Sequence, residues 1–232
     1  MQRVLVVGGA GALGSAVARR FASAGNWEVA SLDRIASKVD VKVDLGAKSA
    51  MQTASWEERL RSAHDEIDQW AGGDGLQAVV HVAGGFAMGG FEDGVGPVES
   101  MWEMNVQSAF TAAALAATHL GSPGLLVLTG AQAARKAGGT GFAVGYGMSK
   151  AATHQLATDF ANEYCAMSQR SCKCILPGTI DTPANREAMP DADHATWTSP
   201  DVIADRIFGW AQPSSFDASK PQDIQHDLFV EV

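Results

Sequence analysis

A tyrosine and a lysine four residues apart form the pattern in this sequence that is best suited to proton transfer. Tyr146 and Lys150 enclose the run Tyr-Gly-Met-Ser-Lys, in a segment whose pattern predicts a helix. Residues at positions i and i+4 share one helix face, so we expect the two side chains to be neighbours. An ammonium group beside a phenol lowers the phenol pKa from its usual value of about 10. We therefore predict that Tyr146 is a proton donor near neutral pH, and that Lys150 tunes it and also contacts ribose hydroxyls of a bound nucleotide.

A glycine-rich turn near the N-terminus is suited to binding a pyrophosphate. The segment Gly9-Ala10-Gly11-Ala12-Leu13-Gly14 matches G-x-G-x-x-G, and Gly8, Gly11 and Gly14 repeat at three-residue spacing. It follows a run of β-formers and opens an amphipathic helix, the context in which helix N–H groups bind phosphate. The alternative is a turn that serves only helix–strand packing. The Tyr-Lys spacing also has an alternative, because the same spacing occurs on ordinary helix turns. The two motifs together favour catalysis with a dinucleotide.

Two carboxylates follow predicted strands at positions where a dinucleotide's adenosine would lie. Asp33 ends the second strand, 19 residues after Gly14, where a carboxylate can bind both hydroxyls of the adenosine ribose. A carboxylate repels a 2′-phosphate, so Asp33 favours NADH. The adjacent Arg34 offsets part of that repulsion and keeps NADPH possible. Asp44 follows the third strand and is placed to contact the adenine edge.

The elements that must position these residues alternate between strands and helices. The predicted strands are Val4–Val7, Trp27–Leu32, Val39–Val43, Gln77–Val82, Leu125–Thr129, Lys173–Leu176 and an edge strand at Asp227–Val232. The predicted helices are Ala12–Ala24, Ala47–Trp70, Pro97–Leu120, Tyr146–Met167 and Val202–Trp210. This order predicts βαβ units, and therefore an α/β fold with a Rossmann-like doubly wound parallel sheet in a single domain over residues 1–232. The segment 181–200 is rich in Pro, Asp and Thr and is predicted to be a surface insertion that acts as a substrate lid.

Composition excludes several classes of protein. The 232 residues carry a net charge of −9 with only 17 Lys and Arg, which argues against a nucleic-acid partner or an anionic membrane surface. No apolar run approaches the roughly 20 residues that cross a bilayer. Three cysteines are too few for a disulfide framework and indicate a reducing, cytoplasmic compartment. No group of His, Cys and carboxylate residues has metal-ligand spacing, so we expect no metal.

The motifs together resemble the short-chain dehydrogenase/reductase family over nearly the whole chain. The resemblance rests on the glycine-rich turn, Asp33, Asp44, Asn105, Tyr146 with Lys150, and Pro177-Gly178. It implies that Asn105 holds a water in the proton relay. It also implies that the nicotinamide side of the cofactor is bound by Ala83, Gly84, Gly85, Pro177, Gly178, Thr179 and Ile180. Alanine-rich helices at Met101–Leu120 and Ala151–Met167 imply the family's four-helix interface, and so a homodimer or homotetramer.

A narrower resemblance is to the dihydropteridine reductases within that family. It is carried by Val82-Ala83-Gly84-Gly85, Gly145-Tyr146-Gly147-Met148, His154-Gln155-Leu156 and Asp181-Thr182-Pro183, and by further stretches up to about residue 198. It implies reduction of a quinonoid dihydropterin to a tetrahydropterin by NADH, or less well by NADPH. The substrate would be bound by Phe86, Tyr146, Met189 and Trp197. Phe86 stands where these enzymes usually carry tryptophan. Trp197 would cover the pterin, or else anchor its loop to the core.

One departure from the wider family separates the alternative functions. The family places a serine 13 residues before its tyrosine, whereas this chain has Ala133. A ketone substrate would lose a donor to its developing oxyanion, worth about 3 kcal/mol where such donors are measured. A quinonoid pterin accepts hydride at a C=N-type centre and needs no such donor. Ala133 therefore argues against a general carbonyl reductase. The intact Tyr146 and Lys150 pair argues against a non-catalytic dinucleotide sensor.

Overall fold

Along the chain, β-strands alternate with helical and loop segments. The computed structural model describes residues 1–39, 41–45, 53–166, 168–216 and 228–232. Within these ranges the strands are β1 (Gln2–Val7), β2 (Trp27–Leu32), β3 (Val43–Leu45), β4 (Leu76–His81), β5 (Leu120–Thr129), β6 (Arg170–Leu176) and β7 (Phe229–Glu231). The helices are α1 (Ala12–Ala22), α2 (Trp56–Ala71), α3 (Gly96–Met101), α4 (Ser108–His119), α5 (Val144–Phe160), α6 (Pro183–Ala188) and α7 (Pro200–Trp210).

These strands form one parallel sheet in the order β3-β2-β1-β4-β5-β6-β7. The chain moves outward from β1 in one direction to β3 and then returns to add β4 on the other side of β1. This reversal places a crevice beyond the carboxyl ends of β1 and β4, which is where ligands bind in open α/β sheets. The predicted doubly wound, Rossmann-like single domain is confirmed.

Alternate residues of β1 enter two separate hydrophobic clusters, as expected of a strand buried on both faces. Val4 and Val6 pack in a cluster with residues of α1 and α7. Leu5 and Val7 pack in the other cluster, with residues of α2, α4 and α5. The sheet is therefore covered by helices on both sides, and its carboxyl edge is left for the functional loops.

The predicted element bounds differ from the structure in several places. The third strand was expected at Val39–Val43 and is found at Val43–Leu45, so Asp44 lies within it rather than after it. Helix α2 begins at Trp56, because Ser55 and Glu58 form a capping box there. Ala47, Met167 and Asp227, which bounded predicted elements, lie outside the described residues.

The predicted long helix at Pro97–Leu120 is interrupted. A π-helical turn at Trp102–Gln107 joins α3 to α4 without a loop. A second π-helical turn, Ala161–Cys165, extends α5. Such turns are often found at functional sites, and the first of these carries Asn105. Within the described ranges, no helix combines the length and apolarity needed to cross a bilayer.

Candidate active site

In the glycine-rich loop between β1 and α1, packing leaves no room for a side chain at three glycines and leaves room at a fourth. Gly8 has φ of +94°, and a Cβ there would overlap the backbone of Ala83. A Cβ at Gly14 would overlap the Gly8 carbonyl, and one at Gly9 would overlap the Ser31 side chain. At Gly11 the nearest heavy atom to an added Cβ is the Gly8 oxygen at 3.4 Å. The loop therefore packs tightly against its neighbours at Gly8, Gly9 and Gly14, and it leaves room for a ligand beside Gly11.

Helix α1 begins immediately after this open position. Gly11 is the N-cap residue, with extended backbone angles, and its carbonyl accepts the first helical hydrogen bond from Ser15 at 2.8 Å. The N–H groups of Ala12, Leu13 and Gly14 belong to the first turn, whose N–H groups have no carbonyl partner within a helix. With the positive end of the helix dipole, they suit a pyrophosphate.

A cleft of about 710 Å³ lies at the carboxyl ends of β1, β2 and β4 and continues between α2 and α4. This volume is within the range of about 300–1,000 Å³ that small-molecule sites occupy. Six of the residues predicted to bind a cofactor line the cleft: Gly8, Gly11, Asp33, Arg34, Ala83 and Gly84. The structure thus brings the glycine-rich turn, the ends of β2 and β4, and the first turn after each into one site.

Asp33 is joined to the glycine-rich loop by its own carboxylate. The carboxylate accepts hydrogen bonds from the N–H groups of Ala10, at 3.0 Å, and Arg34, at 2.7 Å. The exposed Arg34 guanidinium lies 3.7 Å from the carboxylate of Glu103, which is in the π-helical turn. Asp33 therefore fixes the loop's position relative to β2, while part of the Arg34 charge is balanced from the opposite wall of the cleft.

Asp44 lies away from the cleft lining in the described part of the chain. One of its carboxylate oxygens accepts a hydrogen bond from the Ser37 N–H at 2.8 Å. The other is buried with no hydrogen-bond partner among the described residues. Asp44 pairs with Ser31 across β2 and β3. Its predicted contact with an adenine edge stays a prediction.

Tyr146 and Lys150 lie in the first turns of α5, with the Lys150 nitrogen 5.9 Å from the centre of the Tyr146 ring. Lys150 is 4% exposed, and its ammonium group donates a hydrogen bond of 2.9 Å to the Thr129 carbonyl. Burial lowers the pKa of Lys150 to about 8. Burial also raises the pKa of Tyr146. The expected lowering of the Tyr146 pKa by Lys150 is therefore not met among the chain's own groups, because desolvation of the phenolate dominates.

Asn105 is fully buried and connects the end of β4 to the start of α5. Its side-chain oxygen accepts a hydrogen bond from the Gly85 N–H at 2.9 Å. Its amide nitrogen donates to Ser149 Oγ at 2.9 Å and to the Gly85 carbonyl at 3.2 Å. Ser149 in turn donates to the Tyr146 carbonyl at 2.8 Å. These contacts position two parts of the site, and the water-holding role predicted for Asn105 stays a prediction.

The segment predicted to seat a nicotinamide follows β6. The Pro177 carbonyl accepts a hydrogen bond from the Gln132 N–H, and the Ile180 carbonyl accepts one from Asn185 at 2.8 Å. A Cβ at Gly178 would approach no atom more closely than 4.0 Å, so this turn is open to a ligand. The Thr179 carbonyl accepts a hydrogen bond of 3.0 Å from the Thr198 N–H, which returns the chain after residues 181–197.

The predicted substrate residues fall into two groups. The Phe86 ring lies 5.1 Å from the Tyr146 ring, centre to centre, in an edge-on arrangement. Met189 and Trp197 lie in the 181–200 segment, where Trp197 packs 4.3 Å from the His194 ring. Arg186 pairs with Asp181 within the same segment. The structure therefore joins Phe86 to Tyr146, while Trp197 packs on His194 of its own segment.

Three residues at the site were not found by sequence reasoning. Thr129 and Ser149 hold Lys150 and Asn105, respectively. Phe142 lies 6.3 Å from Phe86, between ring centres. A signal for Phe142 existed, since it is an aromatic residue four positions before Tyr146 in an otherwise small, glycine-rich stretch. Thr129 acts through its backbone carbonyl, which any residue type would supply, so its identity carried no signal.

A buried histidine lies behind Thr129. The carbonyl of His81 accepts a hydrogen bond of 2.7 Å from the Thr129 hydroxyl. The Nε2 atom of His81 lies 2.9 Å from the Ser108 hydroxyl oxygen. Burial lowers the pKa of His81 to about 3, with a further contribution from the Lys150 charge. His81 is therefore neutral in the folded protein and belongs to the support of the site.

Comparison with known sequences gives a family and a relative of nearly full length. The family model described as short chain dehydrogenase matches residues 2–193. A curated relative from Dictyostelium discoideum, named dihydropteridine reductase, is 34% identical over 217 residues, which cover 92% of this chain and 89% of that one.

Solved structures share the fold at lower sequence identity. A short-chain dehydrogenase/reductase from Serratia marcescens has a TM-score of 0.73 at 22% identity, covering 100% of this chain and 96% of that one. A short-chain dehydrogenase from Burkholderia cenocepacia in complex with NADP has a TM-score of 0.74 at 22% identity, covering 100% and 96%. An aldohexose dehydrogenase from Thermoplasma acidophilum has a TM-score of 0.76 at 20% identity, covering 99% and 92%.

Proposed function

The chain belongs to the short-chain dehydrogenase/reductase family of oxidoreductases, and from this we propose that it reduces a quinonoid dihydropterin to a tetrahydropterin with NADH. The observation that carries this choice of substrate is an intact Tyr146 and Lys150 pair with Ala133 in place of the hydroxyl donor that a carbonyl substrate would use. The relative named dihydropteridine reductase supports the same substrate class.

We propose that the cleft binds the dinucleotide along the loop from Gly8 to Gly14. The open position at Gly11 and the first turn of α1 suit the pyrophosphate. The Asp33 carboxylate suits a ribose with free hydroxyls, which favours NADH, while Arg34 allows NADPH. The NADP complex of the Burkholderia cenocepacia protein supports a nicotinamide dinucleotide as the class of cofactor. When bound, the nicotinamide supplies hydride from its C4 atom.

In this proposal the chain's own residues hold and deliver a proton. Burial raises the pKa of Tyr146, so its hydroxyl is protonated at neutral pH and is available as a donor. Lys150 carries a positive charge below its pKa of about 8, and that charge stabilises the phenolate that forms when the proton leaves. Asn105 and Ser149 hold the start of α5 against Gly85, which fixes Tyr146 relative to the end of β4.

The remaining parts of the proposal concern assembly, coverage of the site and compartment. Trp102, in the π-helical turn, and Phe110, in α4, are 47% and 46% exposed, which suits a homodimer or homotetramer. The 181–200 segment is tied at both ends, where the Asp181 N–H donates to the Thr198 carbonyl, and we assign it the role of a substrate lid. We place the protein in the cytoplasm on its three free, buried cysteines.

The test is a NADH absorbance assay with chemically generated quinonoid dihydropterin and, separately, a panel of ketones. We expect pterin-dependent NADH loss in the wild type, and a loss of about 100-fold or more in kcat for Tyr146→Phe. The matched control is Tyr164→Phe, because Tyr164 is the other tyrosine and stacks on Phe160, 4.8 Å away between ring centres.

The possible results separate the alternatives. No NADH loss with the pterin would end the proposal. Turnover of ketones alone would indicate a carbonyl reductase, and dinucleotide binding with no turnover of any substrate would indicate a sensor. Full activity of Tyr146→Phe with the pterin would remove the assigned role of Tyr146 while leaving the function in place.

A further inference from the structure

Two exposed phenylalanines stand beside Tyr146 on separate loops. Phe86 follows the glycines at the end of β4, and Phe142 lies just before α5. Phe86 is 54% exposed and Phe142 is 61% exposed, although aromatic side chains are normally well covered. Their ring centres are 6.3 Å apart, and the ring planes meet at 53°. The two rings therefore form an open wedge with accessible apolar faces.

Backbone hydrogen bonds join the two loops that carry these rings. The Gly89 N–H donates a hydrogen bond of 3.1 Å to the Phe142 carbonyl, and the Val144 N–H donates one of 2.9 Å to the Gly89 carbonyl. Gly89 has φ of +154°, and an added Cβ would lie 2.8 Å from side-chain atoms of Pro97. The two loops thus pair at Gly89 like parallel strands, and these bonds hold the backbone of Phe142 beside the loop that carries Phe86.

A third aromatic ring at the mouth of the wedge would lie within interaction range of both phenylalanines. Aromatic rings that interact favourably have centres about 4.5–7 Å apart, either offset and stacked or edge to face. Since the Phe86 and Phe142 centres are 6.3 Å apart, a planar ligand ring can lie within that range of both. The 53° angle means that it would stack on one ring and meet the other at a tilt. The Tyr146 ring lies 5.1 Å from the Phe86 ring, centre to centre, on the same side of the site.

We propose that Phe86 and Phe142 form a two-sided aromatic clamp on a flat bicyclic nitrogen heterocycle, and that Phe142 is the residue that determines this specificity. The clamp rests on the proposed function for its particular ligand, a dihydropterin. Its role is to hold the plane of the ring system next to Tyr146 by apolar contact. Phe142 is then a substrate-binding residue that adds to Phe86, and a flexible aliphatic substrate would gain much less from it.

The experiment compares Phe142→Ala, Phe142→Leu and Phe142→Tyr. The matched control is Phe91→Ala, because Phe91 lies in the same loop as Phe86 and is 92% exposed. Two quantities are measured. One is the KM for quinonoid dihydropterin at saturating NADH. The other is the calorimetric Kd for a fully oxidised pterin, used only as a binding probe in the presence of NAD⁺. Thermal unfolding confirms that each variant is folded.

We expect Phe142→Ala to raise both the pterin KM and the probe Kd by about tenfold, with kcat changed by less than about threefold. Phe142→Leu should behave like Phe142→Ala, whereas Phe142→Tyr should retain wild-type values, because stacking needs the ring. The Kd for NADH alone should be unchanged. Phe91→Ala should match the wild type in all measurements.

Other results overturn the clamp. A probe Kd for Phe142→Ala within twofold of wild type would do so, as would an equal effect of Phe91→Ala. If Phe142→Ala weakened NADH binding as much as probe binding, the space beside Phe86 and Phe142 would belong to the nicotinamide instead. No binding of the probe by the wild type would also refute the clamp. Probe binding that depends on Phe142 in a protein that turns over no dihydropterin would leave the clamp standing and refute the proposed function.

Discussion

The ammonium nitrogen of Lys150 lies 2.9 Å from the backbone carbonyl oxygen of Thr129, the last residue of β5. This contact attaches the cation of the site to the carboxyl edge of the sheet. The Thr129 hydroxyl donates in turn to the carbonyl of His81, the last residue of β4, at 2.7 Å. The position of Lys150 is thus set by two neighbouring strand ends, and Tyr146 is placed against a cation that the sheet already holds.

We predict that Lys150→Met stabilises the protein while removing activity. Burial lowers the pKa of Lys150 from 10.5 to about 8, so the unfolded chain binds the Lys150 proton more tightly than the folded one. The charge therefore costs the fold about 3 kcal/mol at pH values below 8, and this cost falls as pH rises from 8 to 10.5. Urea unfolding at pH 7 should show Lys150→Met more stable by about 1–3 kcal/mol, after loss of the Thr129 hydrogen bond.

The comparison for this prediction is Lys136→Met, at an exposed lysine in the loop after β5. That change should alter the free energy of unfolding by less than about 0.5 kcal/mol. The gain in Lys150→Met should shrink between pH 8 and pH 10. A variant that is less stable than wild type at pH 7 would show that Lys150 contributes to the fold rather than opposing it.

Two glycines in the nucleotide loop should respond differently to alanine. Gly11 has ordinary extended angles and 3.4 Å to the nearest atom from an added Cβ, so Gly11→Ala should keep the wild-type Tm. Its methyl group would enter the space assigned to the pyrophosphate, and we expect NADH affinity to fall at least about tenfold. Gly14→Ala should lower the Tm, because its Cβ would overlap the Gly8 carbonyl. Calorimetric titration with NADH and thermal unfolding measure both effects. Unchanged NADH affinity in Gly11→Ala would mean that the pyrophosphate lies elsewhere.

His81 should make the protein sensitive to acid. Its pKa is about 3 in the folded protein, against an ordinary 6.5. Between these values the unfolded chain takes up a proton that the folded protein does not, so stability falls as pH decreases from 6.5. At pH 5 this amounts to about 2 kcal/mol from His81 alone.

Urea unfolding at pH 7 and pH 5 measures the effect, in the wild type and in His81→Asn. The wild type should lose about 2 kcal/mol more than the variant between the two pH values. The variant should keep a smaller loss, because burial also lowers the pKa of His154, to about 4. If the free energy of unfolding fell equally in the two proteins, protonation of His81 would not destabilise the folded state.

Ala133→Ser should broaden the substrate range. It places a hydroxyl 13 residues before Tyr146, in the short helical turn Ala133–Arg135 after β5. A donor to a developing oxyanion contributes up to about 3 kcal/mol, so we expect turnover of ketones with NADH to rise at least about tenfold. Pterin turnover should change little, since no oxyanion forms. Ala134→Ser is the matched control. An equal rise in pterin and ketone turnover would contradict the reason given for Ala133.

The order of the elements followed from the sequence because burial on both faces gives parallel strands a continuous apolar composition. Val4–Val7 is such a run, and its alternate residues enter two clusters in the structure. The third strand was placed several residues early because it is short and forms one edge of the sheet, where Lys42 and Asp44 give no apolar signal. The start of α2 was missed because its capping residues, Ser55 and Glu58, lie inside a longer polar stretch.

The site was predictable where residue type carries the chemistry, and less so where backbone or burial does. Gly11, Asp33 and Gly84 were placed in one cleft by motif and strand order alone. The direction of the Tyr146 pKa shift could not be predicted from the sequence. The spacing to Lys150 indicates a nearby charge but does not show how far the fold removes the phenol from water. The link between the loops of Phe86 and Phe142 runs through backbone atoms of Gly89, which no side-chain pattern encodes.

The π-helical turn at Trp102–Gln107 makes the site depend on chain length at one particular place. A π turn amounts to one residue added to an α-helix, and each residue of an α-helix advances it by about 100°. Deletion of a single residue here would restore a regular helix and rotate Asn105 out of phase with Gly85 and Ser149, although the hydrophobic content would hardly change. In a surface loop, deletion of one residue only shortens the loop. Within this turn it would act as a rotation of the catalytic face, so that sequence alignments which shift a gap across residues 102–107 would assign the wrong residue to the centre of the site.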